Sequence, residues 1–245
     1  MWYRTDSGGV GVAFTDVSDG NLAAHTGDEP AQVARRRRRV EQKLGTGLVR
    51  YAWQVHGTAV LDVTGTASNA TDLLAAPEAD AVVSADGTPV GILTADCLPV
   101  VLVGRRAGGV PVLAVAHAGR PGLLAGVLQE TVAAVRAHGA LDLEAWIGPA
   151  VCGACYEVPT EMAQQAEEAL PGVATTTSWG TDGLDLPGAA RSILEDHGVR
   201  VREETADRAA WCTLEHDELY SYRRDKTRGR LAGLVWVSEE SGRNA

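Results

Sequence analysis

Three residues of metal-ligand type stand at the ends or interruptions of otherwise apolar stretches: His56, Cys97 and His117. A polar side chain buried at such a place needs a partner. Two imidazoles and one thiolate form a three-ligand set for zinc, and three protein ligands leave the fourth tetrahedral position open, as in catalytic zinc sites. Spacing alone leaves a second interpretation open, in which the cysteine is a small core hydrophobe and the histidines are hydrogen-bonded core residues.

Two other chemistries compete for the same residues. Cys97 is a candidate nucleophile that His117 would activate, and this hypothesis excludes zinc because a metal-bound thiolate is poorly available for attack. A His2Cys set also suits one blue copper. The six histidines include no His-x-His pair, and the methionines are only Met1 and Met162, so the sequence argues against a multicopper cluster.

Several other polar residues lie near these candidates. Cys152 and Cys155 form a Cys-x-x-Cys, but no second such pair exists, and we interpret them as incidental thiols near the site. Asp96 adjoins Cys97 and is expected to form a turn or cap rather than to act in catalysis. The remaining histidines lie in polar or helix-terminal contexts and are expected at the surface: His25, His138, His197 and His216.

Composition limits the class of protein. The 245 residues, 45% of them hydrophobic, suit one domain spanning 1–245. A formal charge of -10 disfavours a nucleic-acid partner. Most of the run Arg35 to Arg39 is interpreted as solvated, because five consecutive helical residues point all round the axis. No apolar run approaches the roughly 20 residues that span a bilayer. Together with four cysteines and no leader-like N-terminus, this predicts a cytoplasmic protein without a membrane partner.

Apolar patterning then predicts the elements that position the candidates. Val- and Leu-rich stretches punctuated by Gly, Pro and Asp indicate strands, and apolar residues at helical spacing with Pro near the start and Gly after the end indicate helices. Expected strands are Gly9–Val17, Leu48–Val55, Ala59–Val63, Ala79–Ser84, Val90–Val103, Val110–His117, Ala145–Val151 and Leu231–Val237. Expected helices are Asp28–Leu44, Gly122–His138, Thr160–Leu170 and Pro187–His197. This mixture favours an α/β or α+β fold.

Five sequence motifs occur here in one order: Gln54-Val-His-Gly, Thr94-Ala-Asp-Cys, Ala116-His-Ala-Gly, Ile147-Gly-Pro with Tyr156-Glu-Val, and Ser221-Tyr-Arg-Arg-Asp. In this set the chain resembles the zinc-containing family known variously as polyphenol oxidase (laccase-domain) proteins and purine nucleoside phosphorylases, with a YfiH-like fold. The resemblance runs from Gly8 to Val237. It implies an α+β fold, a four-layer α/β/β/α sandwich with mixed β-sheets.

The resemblance also implies a site. Zinc, with copper as the less favoured metal, is expected on His56, Cys97 and His117, which would also be the catalytic residues. Where the family usually has Trp-Arg-Gly after Ala-His-Ala-Gly, this chain has Arg120-Pro121-Gly122, so the guanidinium is displaced by one position. The arginines expected to bind substrate, through family motifs and not through spacing, are Arg37, Arg120, Arg223 and Arg224.

The function implied by the resemblance is phosphorolysis of adenosine, inosine and methylthioadenosine, with adenosine deamination as a further activity. The partners would then be a purine nucleoside and phosphate. Alternatives that remain open are a copper-dependent, laccase-like polyphenol oxidase, a cysteine hydrolase that uses Cys97 and His117, a peptidoglycan-editing factor and a non-enzymatic binding protein. The sequence predicts no oligomeric state.

Overall fold

The computed structural model describes residues 1–66, 76–202, 211–226 and 229–238. Its strands are β1 (Tyr3–Ser7), β2 (Val10–Phe14), β3 (Val60–Asp62), β4 (Ala81–Ser84), β5 (Val90–Thr94), β6 (Leu98–Arg105), β7 (Val112–Ala118), β8 (Asp142–Ile147), β9 (Ala174–Thr176), β10 (Asp182–Leu184), β11 (Val199–Val201) and β12 (Leu231–Val237). Its helices are α1 (Pro30–Leu44), α2 (Arg120–Ala125), α3 (Val127–Ala137), α4 (Thr160–Ala169), α5 (Leu186–Asp196) and α6 (Tyr222–Asp225).

Most strands belong to two sheets. The small sheet has the order β1-β2-β12-β5, and all of its pairs are antiparallel. The large sheet has the order β11-β8-β6-β7-β4-β3, in which the two outer pairs are parallel and the inner ones antiparallel. Strands β9 and β10 form a separate hairpin-like pair.

The sheets pack face to face between helices. Alternation along β6 sends Val101 and Val103 toward the small sheet and Val100 and Leu102 toward the helices. Helices α2 to α5 cover the outer face of the large sheet, and α1 covers the outer face of the small sheet through Val40 and its neighbours. The expected α+β, four-layer α/β/β/α sandwich with mixed sheets is confirmed.

The link between the two sheets runs through the candidate site. Strand β5 belongs to the small sheet and β6 to the large one, and the bend Ala95–Cys97 joins them. The prediction of one strand over Val90–Val103 is therefore wrong. The residues of both strands within this range are buried. The apolar stretches on both sides of Thr94-Ala-Asp-Cys therefore predict one strand when only the sequence is considered.

Other differences have local causes. The segment predicted as a strand at Leu48–Val55 makes only isolated bridges, at Arg50 and Trp53. The helix predicted over Gly122–His138 is divided at Gly126, whose φ of 100° lies in the left-handed region that glycine adopts without strain. Among the described residues, no helix is long and apolar enough to cross a membrane.

Candidate metal centre and active site

His117 is held by β7 and by a buried carboxylate. On β7 it lies on the same face as Leu113 and Val115, which pack against the small sheet, so it faces the small sheet as well. Its backbone N–H donates to the carbonyl of Asp80 at 2.7 Å, and its Nδ1 donates to Oδ1 of Asp80 at 2.8 Å. Because Nδ1 is occupied in this way, Nε2 is the nitrogen left to bind a metal.

The same carboxylate shapes the loop that carries His56. Asp80 accepts the backbone N–H groups of Val55 at 3.1 Å, His56 at 2.9 Å and Gly57 at 2.6 Å. His56 has a φ of 61°, which a non-glycine residue seldom adopts. Three amides on one buried carboxylate hold the loop in this conformation, which brings the two imidazole rings to a centroid distance of 4.6 Å.

Cys97 completes a triad at the bend between the sheets. Its Sγ lies 3.8 Å from Nε2 of His56, and ligand atoms of His56, Cys97 and His117 all lie within 4.8 Å of one another. A Cβ on Gly119 would lie 2.8 Å from Cδ2 of His56 and 3.1 Å from Sγ of Cys97. The glycine therefore leaves room beside the three donor atoms, and this donor set fits a metal ion with one open position.

Charge within the triad is arranged to favour a thiolate. Burial acts to raise the pKa of Cys97, but hydrogen bonds to His117 and His56 outweigh it and lower that pKa to about 6. Burial acts to lower the pKa of His117, but its hydrogen bonds to Asp80 and Cys97 raise it to about 9. The thiolate is the form of cysteine that binds metals.

Two pockets meet at Cys97. The first, here the cationic pocket, has a volume of about 320 Å³ and presents Arg120, Arg223 and Lys226. Tyr156 lies on its wall, with the guanidinium of Arg223 over the ring at 4.8 Å. Arg223 is anchored, because its Nη1 donates to the carbonyl of Glu157 at 2.9 Å. The cationic pocket can therefore bind an anion beside Cys97.

The second pocket, here the aromatic pocket, has a volume of about 260 Å³ and is bordered by all three residues of the triad. His25 and Tyr222 provide its ring surfaces, and Thr94 and Arg230 its polar ones. The hydroxyl of Thr94 is buried without a hydrogen-bond partner, which leaves a donor and acceptor available for a ligand. His25 is exposed at the surface, as expected.

Two of the predicted substrate arginines lie elsewhere. Arg37 is buried on α1, donates through Nε to the carbonyl of Leu22 at 2.8 Å and lies over the ring of Tyr51. Arg224 donates to backbone carbonyls of the segment before α6. The structure thus brings Arg120 and Arg223 to the triad and gives Arg37 and Arg224 other contacts.

Sequence reasoning missed Asp80 as the residue that orients the site. Its signal was present, since Asp80 is the one charged residue within the predicted strand Ala79–Ser84. The structure shows it to be fully buried. Asp96, expected as a turn-forming residue, has a φ of 76° and accepts hydrogen bonds from the Thr213 hydroxyl at 2.6 Å and the Arg223 amide at 2.7 Å.

The comparison with known families bears on this site directly. Residues 2–238 match the family described as multi-copper polyphenol oxidoreductase laccase. The chain belongs to this family. The family is metal-dependent, and the triad is one of two groups in the described residues that could hold a metal ion.

Named relatives in the family point to nucleoside chemistry. The chain is 43% identical over 232 residues to the purine nucleoside phosphorylase ORF3 of Streptomyces griseus, covering 93% of this chain and 90% of that one. It is 36% identical to the purine nucleoside phosphorylase YfiH of Escherichia coli, with the same coverage of 93% and 90%. Homologues with this name indicate that the family member described here is an enzyme.

Solved structures agree with the fold. A Neisseria meningitidis protein of the DUF152 family superposes with a TM-score of 0.76 at 32% identity, covering 96% of this chain and 98% of that one. YlmD from Geobacillus stearothermophilus gives a TM-score of 0.76 at 27% identity, covering 95% of this chain and 93% of its own.

Proposed function

We propose that the chain is a zinc-dependent purine nucleoside phosphorylase that accepts adenosine, inosine and methylthioadenosine. The observation that carries the proposal is the position of the His56, Cys97 and His117 triad between a cationic and an aromatic pocket. Such an arrangement suits a substrate pair made of an anion and a flat heterocycle. Relatives named purine nucleoside phosphorylase support the same assignment.

Zinc is the metal that we propose for the triad. Two imidazoles and a thiolate suit zinc, and His56, Cys97 and His117 would hold it where the two pockets meet. Zinc held there supplies a Lewis acid to the reaction. A multicopper oxidase would need further histidine ligands, whereas the metal-ligand groups found in the described part of the chain contain only His56 and His117 as histidines.

The chain's own residues would bind and orient the two substrates. Phosphate would lie in the cationic pocket, where the guanidinium groups of Arg120 and Arg223 match its oxygens. The nucleoside would lie in the aromatic pocket, with its base against Tyr222 and a polar edge near the Thr94 hydroxyl. A phosphate oxygen then bonds to the anomeric carbon as the bond from that carbon to the base nitrogen breaks, and the products are a free base and ribose 1-phosphate.

Adenosine deamination is the second activity that we propose for this site. That reaction needs a carboxylate to transfer protons. Asp96 is the one carboxylate residue lining either pocket within the described ranges, and its oxygens already accept hydrogen bonds from Thr213 and Arg223. We therefore place phosphorolysis first.

We also propose a cytoplasmic location. All four cysteines lie in the described residues and none forms a disulfide, which suits a reducing compartment.

Base release from inosine, measured with and without phosphate, tests the proposal. We expect release to require phosphate, while ammonia release from adenosine does not. Arg120→Ala should raise the apparent phosphate KM roughly 10- to 150-fold, because a lost charge-assisted hydrogen bond costs about 1.5 to 3 kcal/mol, and should leave the nucleoside KM and the zinc content unchanged.

Arg35→Ala, an exposed arginine on α1 that lines neither pocket, is the matched control. Base release that never responds to phosphate would refute the phosphorylase assignment. Copper-dependent oxidation of phenols by the purified protein would support the oxidase alternative in its place. Hydrolysis of an ester or amide substrate by metal-free protein, lost in Cys97→Ser, would support the cysteine hydrolase.

A further inference from the structure

A second group of metal-ligand residues lies outside the triad and its two pockets. Ligand atoms of Cys152, Cys155, Cys212 and Glu215 lie within 4.8 Å of one another. The three cysteines are buried, and Glu215 is exposed on the solvent side of the group. The Cys-x-x-Cys that the sequence showed as an isolated pair therefore has partners from a distant part of the chain.

The four residues come from two short turns with matching backbone hydrogen bonds. In the first turn the N–H of Cys155 donates to the carbonyl of Cys152 at 3.0 Å. In the second the N–H of Glu215 donates to the carbonyl of Cys212 at 3.2 Å. Each turn thus presents ligands three residues apart, as Cys-x-x-Cys and Cys-x-x-Glu, a spacing typical of paired metal ligands.

A short backbone bridge fixes the two turns against each other. The N–H of Thr213 donates to the carbonyl of Ala150 at 3.0 Å, and the N–H of Ala150 donates to the carbonyl of Trp211 at 3.2 Å. The amide of Cys152 also points at Sγ of Cys212, at 3.4 Å. The hydrogen bond with the Cys152 thiol and burial raise the pKa of Cys212, although this amide acts to lower it. A metal ion would therefore displace the thiol proton when it binds.

We propose that Cys152, Cys155, Cys212 and Glu215 bind one structural zinc ion in a closed Cys3Glu site. Three thiolates and a carboxylate fill a tetrahedral shell, so no position is left for a substrate. The triad of His56, Cys97 and His117 differs from it in this respect. The role of the second site is to clamp the two turns together.

The second zinc site would fix the position of residues that line the cationic pocket. Tyr156, on the wall of that pocket, donates its backbone N–H to the carbonyl of Cys152 at 2.9 Å. On the other turn, the Thr213 hydroxyl donates to Asp96 at 2.6 Å, and Asp96 in turn accepts the amide of Arg223. Both turns are therefore hydrogen-bonded to residues that line the cationic pocket. The turns are not part of the pocket lining.

Zinc counting by inductively coupled plasma mass spectrometry tests the second site. Parent protein purified with zinc present should hold about two ions per chain, and His117→Ala and Cys212→Ser should each hold about one. X-ray absorption at the zinc edge should show about three sulfurs at ~2.3 Å per zinc in His117→Ala and about one in Cys212→Ser.

Two results would overturn the second site. One is a His117→Ala protein that is folded but holds no zinc. The other is a disulfide between Cys152 and either Cys155 or Cys212 in the unreduced parent, seen by mass spectrometry. If a variant fails to fold, zinc counting and X-ray absorption on the parent protein test the proposal alone. Two sites require about two zinc ions per chain, with an average of about two sulfur ligands per zinc. Neither result depends on whether the protein cleaves nucleosides.

Discussion

The Asp80 carboxylate joins two of the proposed metal ligands: it accepts hydrogen bonds from Nδ1 of His117 at 2.8 Å and from the backbone amide of His56 at 2.9 Å. It is fully buried. Burial acts to raise its pKa, but the hydrogen bonds from His117 and from the backbone amides lower it. The group is therefore an ionised carboxylate at neutral pH, and it orients the site from behind.

Asp80→Asn should lower zinc affinity at the triad about 10- to 100-fold, the usual effect of removing a residue that orients a ligand. Stability should fall by about 3 kcal/mol, because His117 loses its charged partner in a buried position. Zinc titration and urea unfolding measure the two effects. The matched control is Asp62→Asn, since Asp62 pairs with His138 at 2.8 Å on the surface. Equal zinc affinity in both variants would contradict the role given to Asp80.

Gly119→Ala should weaken zinc binding without removing a ligand. The added Cβ would lie 2.8 Å from the His56 ring, so the ring or the loop must move, at a cost of about 1 to 3 kcal/mol. Gly47→Ala is the control, because its Cβ would meet nothing within 4 Å. Zinc affinity measured by competition with a chelator distinguishes the two variants. An unchanged affinity in Gly119→Ala would show that the space beside the donor atoms is not needed.

The number of protons released when zinc binds at the triad should depend on pH. Between the pKa of Cys97, about 6, and that of His117, about 9, the thiol is already ionised while the imidazole still holds the proton that zinc must displace. We expect release of about one proton from this pair in that range, and a second as the pH falls below 6. Affinity should therefore drop as the pH falls.

Calorimetry in buffers of different ionisation enthalpy measures the protons released. The titration is made on metal-free Cys212→Ser, in which the Cys152, Cys155 and Glu215 group has lost a ligand and contributes least. Cys97→Ser in the same background is the control, because it lacks the thiol that titrates near pH 6. A pH-independent zinc affinity between pH 5 and pH 9 would contradict the charge arrangement described for the triad.

Arg224→Ala should reduce stability rather than act only on substrate binding. Its guanidinium donates to the carbonyls of Thr213 at 2.8 Å, His216 at 2.9 Å and Leu219 at 2.9 Å. Loss of these charge-assisted bonds should lower the free energy of unfolding by about 2 to 3 kcal/mol. Arg120→Ala, by comparison, should change it by less than about 0.5 kcal/mol. Thermal unfolding of both variants gives the answer, and the reverse ranking would contradict it.

Much of the framework follows from local pattern. The last strand, Leu231–Val237, has the bounds that the sequence predicts, and α1 and α4 lie within one or two residues of the predicted bounds. The ends of these elements are set by local residues, such as Pro30 at the start of α1 and Gly45 after its end. The three candidate ligands also follow from residue type and motif.

What could not be predicted depends on contacts between distant residues. Asp96 and Cys97 interrupt the apolar pattern, but this does not show that the chain changes sheets there, since the strands on both sides are buried on both faces. The meeting of Cys212 with Cys152 joins turns 60 positions apart. Arginines in neighbouring positions, Arg223 and Arg224, contact different parts of the protein, and no periodicity distinguishes them.

The strand order of the small sheet has a consequence for biosynthesis. Strand β5, which leads directly into Cys97, pairs with β12, which lies near the C-terminal end of the described residues. Translation proceeds at about 5 to 20 residues per second, so a ribosome exposes β5 on the order of ten seconds before β12 emerges. During this interval Cys97 has been synthesised but is not yet fixed in its final position, and the nascent chain carries an apolar strand without its antiparallel partner, which chaperones would recognise.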